Sequence, residues 1–464
     1  MNRRRQAVAA VVAGVAFAAA LAGWAPAPRA ESLTEAMALT YRTNPELQAA
    51  RRALGAVNEQ VPQALAGWRP EVTVSGQAGR QRLEQQSAFF TDTVKTTPFS
   101  AQGELRQPLY RGGRTSAETE EAVSRVGAER ARLLTTQQDI LLRAVTAYMD
   151  VWRDQAIVRL NENNVEVLRR QLEATRDRFE VGEVTRTDVS QAESRLSGAI
   201  ADRVGAEGAL ESSRATYKEV VGRLPGELNR PEVPEPLPEG RAEAVEQAEG
   251  HNPDVRAARF DELAAQRNVR AVQGELLPEA QLVGRISRRE NSTSAESSVE
   301  VLDLVAQVTI PLYQSGAVFS RVRAAKQTAN QRRLDVLTAR RTASQEAVSA
   351  WEDLAAARAR ITSFEDQIRA SEIALDGVRE ESRVGARTVL DVLDAEQELL
   401  NAQVNRVRAQ RDRIVAAYRL LAAVGRLTAK DRDLPVTVFD ADREFRAVRN
   451  RLLGDDLPTN AKDD

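Results

Sequence analysis

VGARTVLDVLDAEQEL, Val384 to Leu399, lies in a stretch with no proline between Pro311 and Pro435, where the sequence otherwise reads as one very long helix. A Val-Gly step inside such a run is a turn signal. Thr388 with Asp391 three residues on has the capping-box spacing that opens a new helix. The stretch therefore divides an outgoing helix from a returning one.

The same wording occurs earlier in the chain. VGEVTRTDVSQAESRL (181–196) matches it at eight of sixteen positions with an offset of 203, and places Thr185 and Asp188 where Thr388 and Asp391 stand. AVTAYMD (144–150) pairs with AVSAWED (347–353), QPLYRGG (107–113) with IPLYQSG (310–316), and VGRL recurs at 221 and 424, all at 203. TNPEL (43–47) and HNPDV (251–255) lie 208 apart. One offset held over separate anchors means a duplicated unit of about 200 residues.

Each unit has the same order. It opens on Asn-Pro, with Asn44 or Asn252 as cap and Pro45 or Pro253 in the first turn. His251, the single histidine, precedes such a cap and reads as a loop residue. The hydrophobic period then changes from 3.6 to 2. Val72, Val74, Gly76 and Ala78 alternate with polar neighbours, as do Phe99, Ala101, Gly103 and Leu105. The second unit repeats this with Ala280, Leu282, Gly284 and Ile286, then Leu302, Leu304, Ala306, Val308 and Ile310. Strands are expected at about 70–82, 97–109, 278–287 and 299–310, joined by long polar loops at 83–96 and 288–298. After each second strand no proline interrupts 111–224 or 312–434, so helices of about 113–180 and 316–383 would be ~100 Å long at 1.5 Å per residue. The tips fall at 181–188 and 384–391.

Alternation alone also fits an ordinary half-buried sheet. Strands of about this length, with one apolar face and long loops on one side, fit a membrane barrel. Four strands cannot close one, because closure takes at least ~8. Several copies are needed, and three would give a 12-stranded barrel with a lumen.

Composition agrees with an exported protein. The 464 residues carry a net charge of −2 and 28% charged side chains, which gives no reason to expect nucleic acid as a partner. There is no cysteine, hence no disulfide, thiolate nucleophile or lipid-acceptor thiol. Met1–Arg5 is basic, Ala7–Ala22 apolar but shorter than the ~20 residues of a membrane span, and Ala25–Ala30 suits signal cleavage. Residues 1–30 are thus expected to be a signal peptide, with the mature chain starting at Glu31.

With the signal peptide, duplicated halves, Pro-Leu-Tyr before each long helix and VGxxTxxDVxxAE tips, the chain resembles the TolC-like outer-membrane efflux family over essentially all of its mature length. The resemblance implies a mainly α chain with a membrane β-barrel. Its duplicated unit would supply four strands to a 12-stranded barrel in a homotrimer, and its long hairpins a periplasmic α-barrel. The first repeat would cover 31–222 and the second 241–427, with a Pro-rich linker (223–240) and a tail (428–464) forming an equatorial belt. It also implies an outer-membrane location in contact with lipid, a periplasmic adaptor, an inner-membrane transporter of ABC type, and no cofactor.

The resemblance assigns roles to the tip. Arg387 would latch the closed entrance against Thr187 and Asp188 of the neighbouring tip, and Asp394 and Asp391 would form an acidic constriction ring. Val181, Gly182, Val384 and Gly385 are the turns themselves. A tyrosine common two residues before Val-Gly is Ser382 here, which weakens or re-partners the latch. Read from the residues alone, Asp188 and Asp391 also have the local task of capping. Asp394 has none, and its counterpart is Gln191 while that of Arg387 is Val184, so one tip per chain carries the charged set.

A passive export duct is favoured over a periplasmic coiled-coil scaffold, which has no use for lipid-ready strands. An enzyme is disfavoured, because no metal-ligand or phosphate-loop spacing is present. The LDVLDAEQEL wording and absent lipid-acceptor cysteine point to type I protein secretion, with multidrug efflux as the alternative cargo class.

Overall fold

A computed structural model describes residues 31–456 apart from 90, 293 and 295. The expected signal peptide and the last residues of the tail lie outside the described residues. The chain opens with α1 (Leu33–Thr43), α2 (Pro45–Asn58) and the short α3 (Gln60–Leu65). Strands β1 (Glu71–Ala78), β2 (Gln81–Gln86), β3 (Thr91–Thr96) and β4 (Phe99–Arg111) follow, then α4 (Arg114–Glu180) and α5 (Arg186–Val221). The second half holds α6 (Arg241–His251), α7 (Pro253–Gln273), β5 (Glu279–Glu290), β6 (Ser298–Thr309), α8 (Ala317–Arg383) and α9 (Val389–Ala423), and the tail adds α10 (Ala441–Val448).

The two outgoing helices have equal lengths, 67 residues each, and the returning ones have 36 and 35. Such lengths exceed what propensity alone holds, so packing must carry them. Around the middle of α4, Ile140, Leu141, Val145, Tyr148 and Met149 are buried with Met37, Leu47 and Leu54 of the first helices and with Tyr217, Tyr418 and Leu421 of the returning ones. The second unit is closed by small residues instead. Ala343, Ala347 and Ala350 of α8 meet Ala244 and Ala248 of α6 and Ala417 of α9.

Each unit is tied end to start by its Asn-Pro cap. Asn44 accepts from the amides of Glu46 and Leu47, while its Nδ2 donates to the Val220 carbonyl in the last turn of α5. Asn252 accepts from Asp254 and donates likewise to Ala423 at the end of α9. His251 is the last residue of α6, an exposed helix terminus rather than a loop residue.

The linker and tail are laid across this belt. Leu228, Val233 and Leu237 from the linker, with Val436, Phe439 and Phe445 from the tail, pack against the first core. Glu31 is buried there at 7% exposure, its carboxylate accepting from Tyr217 Oη and Arg223 Nη2, both at 2.7 Å. Tyr148 Oη donates to its carbonyl at 2.7 Å. Burial, with Glu31 beside them, raises the pKa of both tyrosines.

The main sheet is antiparallel in the order β1-β4-β5-β6. Its register aligns Val72, Leu105, Gly284 and Leu304 in one row, and Thr73, Glu104, Arg285 and Asp303 in the next. Since faces alternate, one face is mainly apolar around these rows, while the other carries Glu104, Arg285 and Asp303 among a few valines. The apolar side stands open, with Val74 at 83%, Leu302 at 81% and Leu304 at 70% exposure. On the other side Arg285 reaches Glu104 at 3.4 Å and Asp303 at 3.9 Å.

The loops differ from expectation. Most of 83–96 is not loop: β2 and β3 pair as a separate two-stranded ribbon, with register from Gln81 opposite Thr96 to Gln86 opposite Thr91. Threonine and valine favour strands there, but 81–86 and 91–96 hold one apolar residue each, Leu83 and Val94, too few for an alternation to read. The second connection is only 291–297, because β5 and β6 extend to Glu290 and from Ser298.

Sheet and helices meet at a point where two backbones touch. Gly112 has φ +62° after β4, and a Cβ there would lie 2.1 Å from the Gly274 carbonyl oxygen at the end of α7. A Cβ on Gly274 would in turn meet Gly112 O at 2.6 Å. The glycines are required on steric grounds at both positions.

Candidate functional site

The sites read from sequence cluster at the two helical turns. Gly182 and Gly385 adopt φ of +81° and +77°, and nothing lies within 4 Å of either added Cβ, so their requirement is conformational. The valines before them project outward, Val181 at 72% and Val384 at 80% exposure. Both returning helices start with a complete capping box. Thr185 Oγ1 accepts from the Asp188 amide and Asp188 from the Thr185 amide; Thr388 and Asp391 do the same at 3.2 and 2.9 Å.

Asp188 and Asp391 are thus bound to capping within their own chain. The Thr388 amide and hydroxyl hold the exposed Asp391 carboxyl below its usual range. A depressed carboxyl contributes above its unfolded pKa and loses that contribution as pH falls through the folded value. The second tip therefore stays capped across neutral pH and loosens only in acid. Thr388→Ala should cost ~0.5–2 kcal/mol of local helix stability through the lost cap, read as faster amide exchange over residues 389–393.

Within the chain Arg387 pairs with Glu381, at 2.9 Å, rather than with Thr187 or Asp188. The first tip carries the reverse polarity. Arg178, which occupies the position of Glu381 one offset earlier, pairs at 3.1 Å with Glu183 of the turn. Ser382, where the resemblance leads one to look for tyrosine, is buried at 7% exposure.

Asp394 is not without a partner. Arg195 of α5 forms an ion pair with it, joining the returning helices of the two hairpins. The sequence placed no partner within reach because this contact crosses between units. Both groups remain 40–56% exposed, so the pair is worth no more than ~1 kcal/mol. A further cross-tie is duplicated: Arg176–Glu193 and Arg379–Glu396 are each 2.6 Å and obey the 203 offset. Below the tips, Val389 and Leu393 of α9 pack among Val165, Leu168 and Leu172 of α4 and Ala192 of α5. The helix ends below the turns are thus packed together, while the charged groups of the turns face solvent.

The family model described as outer membrane efflux protein matches residues 38–223 and 244–426, once on each unit. The outer membrane efflux protein BepC of Brucella suis biovar 1 is 34% identical over 425 residues, covering 91% of this chain and 92% of BepC. The chain belongs to the outer membrane efflux protein family. It is an outer-membrane channel protein and not an enzyme. Outer membrane protein TolC of Vibrio cholerae is 26% identical, covering 89% of this chain and 95% of that protein. The proteases secretion protein PrtF of Dickeya chrysanthemi is 24% identical, covering 87% and 90%. Among solved structures the outer membrane protein VceC of Vibrio cholerae superposes with a TM-score of 0.74 at 20% identity, covering 85% of this chain and 96% of VceC. That likeness concerns the fold, a duplicated strand-and-hairpin architecture. As a member of this family the chain is the outer-membrane efflux channel of a tripartite system.

Proposed function

We propose that three copies close a 12-stranded barrel and a continuous helical barrel, whose tips dock a periplasmic adaptor and an inner-membrane transporter of ABC type. The observation that carries this reading is the main sheet. Its outer strands β1 and β6 each pair on one side only, its apolar face is open and its opposite face is charged. Open edges are a liability unless another chain completes them, and lipid accepts no unpaired edge. The protein should therefore fractionate with the outer membrane and run as a trimer in mild detergent. A monodisperse monomer, soluble without detergent, would overturn the barrel.

At the entrance, Arg387 would exchange Glu381 of its own chain for Thr187 and Asp188 of a neighbouring tip, closing the duct. Arg387→Ala should raise single-channel conductance in planar bilayers and leave the trimer intact. Asp394 would line the constriction, with Asp391 behind it at the cap. Asp394→Ala should lower cation selectivity, and Arg195→Ala, which frees three Asp394 carboxylates per trimer, should raise it. Selectivity unmoved by either change would remove Asp394 from the constriction.

The cargo we propose is protein, exported by type I secretion. The LDVLDAEQEL tip, the absent cysteine and a relative named for protease secretion support it. Small-molecule efflux is the second reading, favoured by the 34% identity to an efflux protein. Comparing the secretome and a drug-sensitivity panel with and without the gene separates them. Loss of one or more secreted proteins with unchanged drug tolerance is the expected result, and the converse would assign the channel to efflux.

A further inference from the structure

A cavity of about 730 Å³ opens in the equatorial belt where α2, α4, the end of α6, the end of α9 and the tail converge. That volume is typical of small-molecule sites. Its lining is unusual in charge: Arg51, Arg130, Arg256, Arg426 and Lys430 against the single acid Asp431. Two of the acids nearby have partners of their own. Asp431 accepts from Thr428 Oγ1 at 2.6 Å, and Asp442 from Arg130 at 2.6 Å. Arg51 is held between rings, 4.6 Å from the Tyr41 centroid and 5.3 Å from that of Phe439. The side chains of Arg256, Arg426 and Lys430 make no ion pair or hydrogen bond among the described residues. Even with Asp431 anionic, the lining cations outnumber its acids five to one, and an anion among Arg256, Arg426 and Lys430 offsets part of that excess. Leu134, Val438 and Phe439 give the same cavity an accessible apolar wall, backed by the buried Tyr41, Leu47 and Leu133.

We propose that this cavity binds a small amphipathic organic anion. Its apolar body would lie against Leu134, Val438 and the free side of Phe439, with its carboxylate, sulfonate or phosphate group among Arg256, Arg426 and Lys430. The site draws residues from both units and from the tail, so an occupied cavity ties the belt together, and binding to the folded state alone stabilises it by mass action.

The test uses the purified full-length protein in peptidiscs and naphthalene-2-sulfonate as probe, followed by calorimetry and thermal melting. Expected is saturable binding at one probe per chain with a rise in melting temperature. Neutral naphthalene-2-sulfonamide and inorganic sulfate should each bind at least tenfold more weakly. Arg426→Gln combined with Lys430→Gln should weaken the sulfonate at least tenfold; the single exposed change Lys430→Glu, which disturbs no packed group, should weaken it in the same sense. Absence of saturable binding, equal affinity for the sulfonamide, equal affinity for sulfate, or unchanged affinity in both variants would each overturn the proposal.

Discussion

Leu304→Arg should destabilise the membrane-inserted protein by about 2–4 kcal/mol, the depth-dependent cost of a cation on the lipid face of a barrel near the bilayer midplane. Leu304 belongs to the row Val72, Leu105, Gly284 and Leu304, and is 70% exposed on the apolar face. Leu302 and Val308, at 81% and 64%, share that face and should respond likewise. Gln307 lies on the other side, where its side chain accepts from Gln281 Nε2 at 3.1 Å, so Gln307→Lys should be tolerated. Urea unfolding of the reconstituted protein reads both changes. Equal losses on the two faces would mean an ordinary sheet with no lipid side.

Gly112→Ala should be the most damaging single methyl in the molecule's upper half, at ~3 kcal/mol or more. A left-handed backbone costs an L-residue roughly 1–2 kcal/mol before any contact is counted. The new Cβ would also sit 2.1 Å from Gly274 O, and a backbone oxygen cannot swing aside as a side chain would. The junction between sheet and helices must open to admit it. Gly113, beside it at φ +74° with nothing within 4 Å of a Cβ, supplies the control: Gly113→Ala should cost only the backbone share. Recovery of folded trimer after mild heating distinguishes the two. Similar behaviour of both variants would remove the close approach as the cause.

Duplication and hairpin architecture were legible because they leave linear marks. Val-Gly at 181 and 384, Thr-x-x-Asp behind each and proline-free runs on both sides depend only on local chain chemistry. The apolar face of the main sheet was legible for the same reason, since period two survives wherever one face meets lipid. The β2–β3 ribbon was not, with Leu83 and Val94 as its only apolar residues in sequence. Nor was the Arg195–Asp394 pair, which joins helices 199 residues apart in sequence, or the burial of Glu31 beneath Tyr148 and Tyr217. Those contacts follow from where the two hairpins and the linker come to rest, and sequence spacing carries no record of that.

The two half-paired outer strands also tie the closing of the barrel to the number of copies at hand. A ribbon of β1, β4, β5 and β6 alone would carry two rows of peptide groups into a solvent that has nothing to offer them. Neighbouring copies that pair edge to edge would remove both rows at once, so the proposed closure and stable residence in the bilayer go together. The yield of closed barrel is then expected to rise more steeply than the amount of chain made, since closure needs copies as well as folding.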